Sequence, residues 1–461
     1  MTDGHAEPSE ADSPLSRFVT WNVLGNAASL IIGFGTSVAL ARWLGPSNRG
    51  LLALMLSVGG LALVLTAVGM PVGVVYFASR RDEDGPAILG NSLVHAAIIA
   101  ALLVPGTLLL YHPIADALGH GHGGRTWVLA AALVPVTFLD WTTHSQLQGT
   151  LRFGRFNLLL VAQRIAYAIG ILLLLGVLDL GVSSGLLATG LGSVVMILGA
   201  LIPILKVGRP RFDRSLMKRM LSYGWRAQIG SILQMANGRL DVIILQLFRP
   251  LSQVGYYVVA QTIAELVIAL ADAFQWSNMA LVSRGGTEGS RPSATGAIRH
   301  HALISGAAAF ANAGFGSLVI AFAYGTAFHK AIVPMLILLP GVWLLGIGYV
   351  VQGDLGGRGH PGLSSAAAGI GAGVTVILDF ALIPPLGVIG AALASVCAYA
   401  TFGIVSLVAL SRVSGLSANE LAVPTRADLG AYWNALSGFL ARRRRGGGRD
   451  SAKSRTRAPR G

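Results

Sequence analysis

Apolar stretches of about 20 residues recur along the whole chain, separated by short polar breaks. A helix needs roughly that length to cross about 30 Å of hydrocarbon with every backbone polar group bonded inside the segment. Twelve stretches meet the requirement. The first six run from Phe18 to Leu40, Leu51 to Phe77, Ile88 to Leu110, Trp127 to Gln148, Phe156 to Leu178 and Ser184 to Leu205. The second six run from Tyr223 to Phe248, Tyr256 to Leu281, Ile298 to Tyr324, Ala331 to Val351, Leu363 to Ile383 and Val388 to Leu410. The pattern predicts an all-α polytopic membrane protein of about 12 transmembrane helices.

Shifting the chain by about 204 to 206 residues superposes irregular features in the same order. Trp21 falls on Trp225, Pro46 on Pro250, and Gly50 within one residue of Gly255. Leu180-Gly181-Val182 falls on Leu386-Gly387-Val388, and Leu187-Ala188-Thr189 on Leu393-Ala394-Ser395. Two six-helix pseudo-symmetric lobes around a central cleft are implied, an arrangement transporters use to form a site between repeats. Residues 17–205 and 223–412 are the expected lobes, joined by a basic cytoplasmic linker, 206–222. An acidic tail, residues 1–16 with Asp3, Glu7, Glu10 and Asp12, reads as disordered and carries no secretory cleavage signal. Residues 413–441 read as a linker and an amphipathic interfacial helix, and 442–461 as a basic disordered tail.

Composition closes off the soluble alternatives. Of 461 residues, 53% are hydrophobic and only 12% charged, against roughly a quarter charged in soluble domains. The net charge of +14 would suit a nucleic-acid binder, yet 11 of the 34 Lys and Arg residues lie in the last 50 positions. The charge belongs to a tail and to loops, and no nucleic-acid partner is expected. With both termini in the cytoplasm, inner segments hold 26 of the 34 cations, while outer loops hold Arg42, Arg49, Arg125, Arg249 and Lys330. Arg164, Arg226 and Arg239 fall within spans. That asymmetry predicts a multi-pass protein of the cytoplasmic membrane with both ends inside. The lone Cys397 supports neither a disulfide framework nor a cysteine metal site. His112, His120 and His122 near Asp116 sit in a glycine-rich loop too flexible for an ordered metal site, so neither metal nor cofactor is expected.

Three separated segments carry a family resemblance. They are N-V-L-G-N-A-A-S-L-I-I-G-F-G-T-S-V-A-L-A-R-W-L-G-P-S-N-R-G (Asn22 to Gly50), Y-G-W-R-A-Q-I-G with N-G-R-L-D-V-I-I-L and V-G-Y-Y-V-V-A (Tyr223 to Ala260), and L-D-F-A-L-I-P-P-L-G-V-I-G-A-A-L-A-S (Leu378 to Ser395). Together they resemble polysaccharide-exporting flippases of the Wzx type, whose superfamily also holds multidrug extruders and lipid II flippases. The resemblance implies a V-shaped pair of helical lobes that opens alternately to either face. Its substrate would be a lipid-linked, polyprenyl-diphosphate oligosaccharide for cell-surface polysaccharide synthesis, and other glycan assembly proteins are partners it allows.

Polar side chains in hydrocarbon are costly and normally face a bundle interior or a wet cavity. Asn22, Asn26, Ser29 and Gly33 lie on one stripe of the first span, and Asp140, His144 and Gln148 on one stripe of the fourth. Arg226, Gln234, Asn237 and Asp241 fall within about an 80° arc of the seventh, with Arg239 on another side; Gln261, Glu265 and Asp272 align in the eighth. Arg226, Arg239 and Arg164 are candidate contacts for a diphosphate, since guanidinium forks match phosphate oxygens, with Asn22, Asn26, Gln234 and Asn237 beside them. The alternative for each arginine is a structural ion pair, Arg239 with Asp241 or Arg164 with Asp140. Asp140, His144, Asp241, Glu265 and Asp272 are candidates for a coupling proton or sodium ion. Helix packing is the plainer role for each.

No Walker loop, G-x-S-x-G or zinc helix motif is present, and the longest outer loop is about 16 residues, so enzymatic activity is not expected. In the tail, Leu429, Tyr432, Trp433, Leu436, Phe439 and Leu440 recur at helical spacing ahead of Arg442 to Arg445, a pattern suited to the anionic inner leaflet. Two other functions fit the same residues: a proton- or sodium-coupled small-molecule exporter, and a non-transporting membrane subunit of a glycan assembly complex.

Overall fold

The computed structural model describes residues 14–80, 84–150, 152–269, 271, 274–275, 278–279, 282, 291–423 and 425. The acidic segment 1–13, Asp272, the amphipathic stretch 429–440 and the basic tail lie outside the described residues. Among those described there is no strand. The chain runs through α1 (Pro14–Ala67), α2 (Met70–Ala78), α3 (Gly85–Gly119), α4 (Thr126–Gly149), α5 (Phe153–Ile171), α6 (Val182–Leu205), α7 (Arg214–Phe248) and α8 (Leu251–Ala264). It continues through α9 (Arg291–Val319), α10 (Ile332–Gly357), α11 (Pro361–Leu386), α12 (Val388–Ser414) and a short α13 (Ala418–Ala422).

Nine helices among the described residues are long and apolar enough to cross a bilayer. The first of them, within α1, holds two spans, because Gly45 (φ 71°, ψ 174°) kinks it into arms 14–44 and 46–67 just before Pro46. The second arm breaks again at Val68, which has φ 47°, and Gly69, with φ 73°. A β-branched residue in that region is strained. The break divides the stretch expected from Leu51 to Phe77, and α2 resumes with Pro71 in its first turn. The carbonyls released there are not orphaned: His95 Nε2 lies 2.8 Å from the Thr66 carbonyl, and the Gln228 amide donates to the Val64 carbonyl.

Contacts divide the chain into two compact units. One contains Met1–Ala264, Asn312–Gly341 and Ala368–Ala398. Its core groups Leu52, Leu54, Met55, Trp127, Ile171 and Leu186, with a second cluster around Met70, Phe77, Ile88, Phe138 and Met220. The other contains Glu265–Ala311, Val342–Ala367 and Tyr399–Gly461, cored on Ile298, Ile347, Val350, Leu355 and Leu410. Within it α10 continues past the expected span end at Val351, and buries an Asp354–Arg358 ion pair one turn apart. Elsewhere large apolar side chains such as Leu109 and Phe310, 80% and 86% exposed, face outward where lipid would cover them.

Backbones approach closely at two crossings inside the first unit. The repeat pairs Gly50 with Gly255, and these two meet. A Cβ at Gly50 would overlap the Leu251 carbonyl, and one at Gly255 the Pro46 carbonyl, so the contact is reciprocal, as a local two-fold requires. Toward the linker end, Gly69 and Gly224 are equally close, each Cβ position overlapping the other's carbonyl. The linker is non-helical only to Asp213, whose carboxylate caps α7 at Leu216 N (3.0 Å) and whose own N–H donates to Asn91 Oδ1 (3.0 Å). Arg211 pairs with Asp84 at 2.5 Å.

Gly224→Ala is expected to cost about 1–3 kcal/mol through overpacking, read as a lower melting temperature in detergent. Gly230→Ala in the same helix, where a Cβ meets nothing within 4 Å, should not lower it.

Candidate functional site

A cavity of about 420 Å³ opens within the first unit. The first arm of α1 supplies Gly33, Thr36 and Ser37, continuing the stripe that the sequence begins at Asn22. From α5 come Gln163, Arg164 and Tyr167, and from α6 Thr189 and Gly192. The second arm of α1 supplies Arg49.

Arg49 corrects an expectation. The sequence places it in an outer loop beside Gly45 and Pro46, but it lies in the first turns of a helix, is only 8% exposed, and turns into the cavity. Its Nε has no hydrogen-bond partner. Tyr167, Tyr324 and Arg239 are within electrostatic reach of it. A buried guanidinium with an unused donor is expensive, and an anion in the cavity would relieve that cost. Arg164, by contrast, is solvent-exposed on the cavity wall.

The carboxylate expected to pair with Arg164 is otherwise engaged. Asp140 Oδ2 accepts from Gln163 Nε2 at 2.7 Å and from Ser193 Oγ at 2.8 Å, tying α4 to α5 and α6. The cavity therefore contains two lining arginines, while the nearby acid holds the amide of Gln163 in place. His144, one turn along α4, packs edge-on against Phe156 with ring centroids 4.6 Å apart.

A second polar cluster, also inside the first unit, gathers acids. Asp241 is fully buried and accepts from the Tyr257 hydroxyl, from the Val242 N–H at 2.7 Å and, at 3.5 Å, from Ser395 Oγ. These donors occupy the carboxylate that Arg239 could have taken, and Arg239 is exposed. Asp379 of α11, fully buried within electrostatic reach of Asp241, has no partner for either carboxylate oxygen. Neither Tyr257 nor Ser395 is among the site residues that the sequence suggests, although Ser395 is the repeat counterpart of Thr189. Their signal was a Tyr and a Ser inside apolar runs, too common to select.

The remaining candidates divide by what is described. Asn22 and Asn26 lie on α1, and Arg226, Gln234 and Asn237 on α7, but their side chains are outside the described residues. Glu265 opens a 3-10 turn, Glu265–Val267, in the second unit. In the histidine loop, His120 Nδ1 lies 3.2 Å from Gln246 Nε2, and His122 Nδ1 lies 3.1 Å from the Gly119 carbonyl. Among the described residues no group of three or more His, Cys, Asp or Glu is placed to hold a metal ion.

Asp140→Leu would leave the buried Ser193 hydroxyl and the half-buried Gln163 amide without their acceptor and is expected to cost about 1–3 kcal/mol. Asp140→Asn keeps an acceptor and should cost less; thermal melting of the purified protein compares the two.

Comparisons with known proteins identify the family and the fold. The profile of the family described as polysaccharide biosynthesis protein matches residues 15–271, more than half of the chain, and the chain belongs to that family. It is 24% identical over 374 residues to the probable low-salt glycan biosynthesis flippase Agl15 of Haloferax volcanii, covering 78% of this chain and 76% of that protein. Among solved structures it is similar to the lipid II flippase MurJ in an inward closed conformation, with TM-score 0.69, 17% identity, and 87% and 91% of the two chains covered. It is similar also to an inward-facing multidrug resistance transporter of the MATE family, with TM-score 0.67, 17% identity, and 86% and 98% covered. At that identity the structures show a shared fold, the all-α polytopic fold expected from the sequence.

Proposed function

We propose that this member of the polysaccharide biosynthesis protein family is a flippase that moves a lipid-linked, polyprenyl-diphosphate oligosaccharide across the cytoplasmic membrane by alternating access. The observation that carries the reading is the cavity holding Arg49, buried with a free Nε, and Arg164. A diphosphate presents several acceptor oxygens to such forks, and each charge-assisted bond is stronger than a neutral one. Tyr167, Gln163, Thr36, Ser37 and Thr189 offer hydroxyls and an amide to sugar hydroxyls. On this reading Arg239 extends the cationic surface toward α7. Arg226, Gln234 and Asn237, with Asn22 and Asn26 of α1, would meet the glycan farther along the path. The lipid would stay in the bilayer, both termini would be cytoplasmic, and the product would serve cell-surface polysaccharide synthesis.

The acid cluster supports a second element. Two buried carboxyls that no arginine or lysine bonds among the described residues, Asp241 held by neutral donors and Asp379 with neither oxygen partnered, suit a coupling proton or sodium ion. The same cluster is what a cation-coupled exporter of small molecules would need, so the cargo decides between the two readings.

The test is movement of a fluorescent lipid-diphosphate oligosaccharide across proteoliposomes, with and without a pH or sodium gradient. Loss of one phosphate contact, at about 1.5–3 kcal/mol, predicts that Arg49→Ala or Arg164→Ala slows movement about ten- to a hundredfold, with lysine at either position recovering part of it. Asp379→Asn should leave protein-dependent movement in place and remove its response to the gradient. Export of a cationic dye by the wild type, with no movement of the oligosaccharide, would sink the flippase in favour of the exporter.

A further inference from the structure

Beyond the cavity, toward the Gly45 kink of α1, that helix is fastened to the one that ends near residue 324. Arg42 Nε donates to the Ala323 carbonyl at 2.5 Å, and its Nη2 to the Phe322 carbonyl at 2.6 Å. Those carbonyls are available because α9 widens into a π-helical turn, Ile320–Tyr324, and stops at Gly325 with φ 90°. The last carbonyls of a helix have no donors of their own. One level deeper, the Tyr324 hydroxyl, 2% exposed, donates to Ser37 Oγ at 3.0 Å, and Ser37 lines the cavity. Near the same kink the Gly50–Gly255 crossing brings backbone against backbone.

We infer that the Arg42 and Tyr324 bonds are the latch that shuts the cavity at this end, and that their release opens it. The chemistry suits a latch rather than a permanent bolt. Arg42 is solvent-exposed and its acceptors are neutral carbonyls, so each bond can be exchanged for water at small net cost. Lysine cannot span both carbonyls as the planar fork does. The inference presupposes that the cavity opens and takes no position on the cargo, so its test reads opening alone.

In a Cys397→Ser background, Thr189→Cys on the cavity wall is labelled with a membrane-impermeant maleimide from each face of the membrane. Ser47→Cys, exposed just after the Gly45 kink, identifies which face that end occupies. Adding Arg42→Ala is expected to raise labelling of position 189 from the face of Ser47→Cys roughly tenfold, with Arg42→Lys intermediate and Tyr324→Phe giving a smaller rise. Melting temperatures should stay within a few degrees of the parent. Unchanged labelling in both Arg42→Ala and Tyr324→Phe, or a rise confined to the opposite face, overturns the latch. A rise with no oligosaccharide movement by the parent protein would keep the latch and remove the flippase.

Discussion

A helix in hydrocarbon bonds its own backbone, and wherever it ends or breaks some carbonyls lose their donors. The architecture of this protein is arranged around that constraint. Arg42 takes the carbonyls at the end of α9 and its π turn, and Arg249 those near the end of α11, at Ile383 and Pro384. His95 and Gln228 take those freed at Val68 and Gly69. Arg155 reaches the Gly199 carbonyl at 2.9 Å, which Pro203 four residues on leaves without a helical donor. Side chains that look like scattered polar intrusions in the sequence therefore act as caps supplied by neighbouring helices. Each cap fixes one helix against another more specifically than apolar packing does, because lipid is as good a solvent for leucine as another helix is.

Glycine sets the second condition. Helices that approach until a Cβ would overlap a carbonyl can do so only where none exists, and the chain places glycines on both sides of its two tightest crossings, Gly50 with Gly255 and Gly69 with Gly224. The first pair is related by the repeat. An approximate duplication read from Trp and Pro spacing thus reappears as a reciprocal contact, each glycine against the carbonyl that precedes its partner by about four residues. Such crossings rely on dispersion at close range, of which a gap of about 0.5–1 Å already forfeits roughly a quarter to a half. Side-chain caps and glycine crossings together hold broken helices in close contact.

The sequence made the helices legible because 20-residue apolar runs leave few alternatives, and it found the stripe of α1 because Asn, Ser and Gly at intervals of three and four have few apolar explanations. It misplaced Arg49 for a local reason. Gly45-Pro46-Ser47-Asn48 has the composition of a turn and the apolar run begins only at Leu51, so nothing in the linear pattern shows that the helix already resumes at Pro46 with Arg49 pointing inward. Asp354 and Arg358 escaped because a charged pair reads as a span end, whereas the i, i+4 spacing lets the two neutralise each other inside one. Asp140 was found as a polar residue, but its partners Gln163 and Ser193 lie on two other helices. That pairing is tertiary, and one sequence does not carry it.

The two polar clusters show how a membrane protein can hold both signs of charge without cancelling them. Had Arg164 been bonded to Asp140, or Arg239 to Asp241, the interior would contain satisfied pairs and no reason to admit an ion. Neutral donors satisfy the acids instead: an amide and a hydroxyl at Asp140, a phenol and a backbone N–H at Asp241. Arg49 is left short of an acceptor and Asp379 short of a donor, in the same compact unit but in separate clusters. An unmet acceptor demand and an unmet donor demand of opposite charge can each be relieved by a mobile species, an anion at one and a cation at the other. Because both would sit in low dielectric, filling one changes the electrostatic cost of filling the other. Coupling between cargo and ion then requires no dedicated relay between the clusters, only that neither charge has been given a permanent partner.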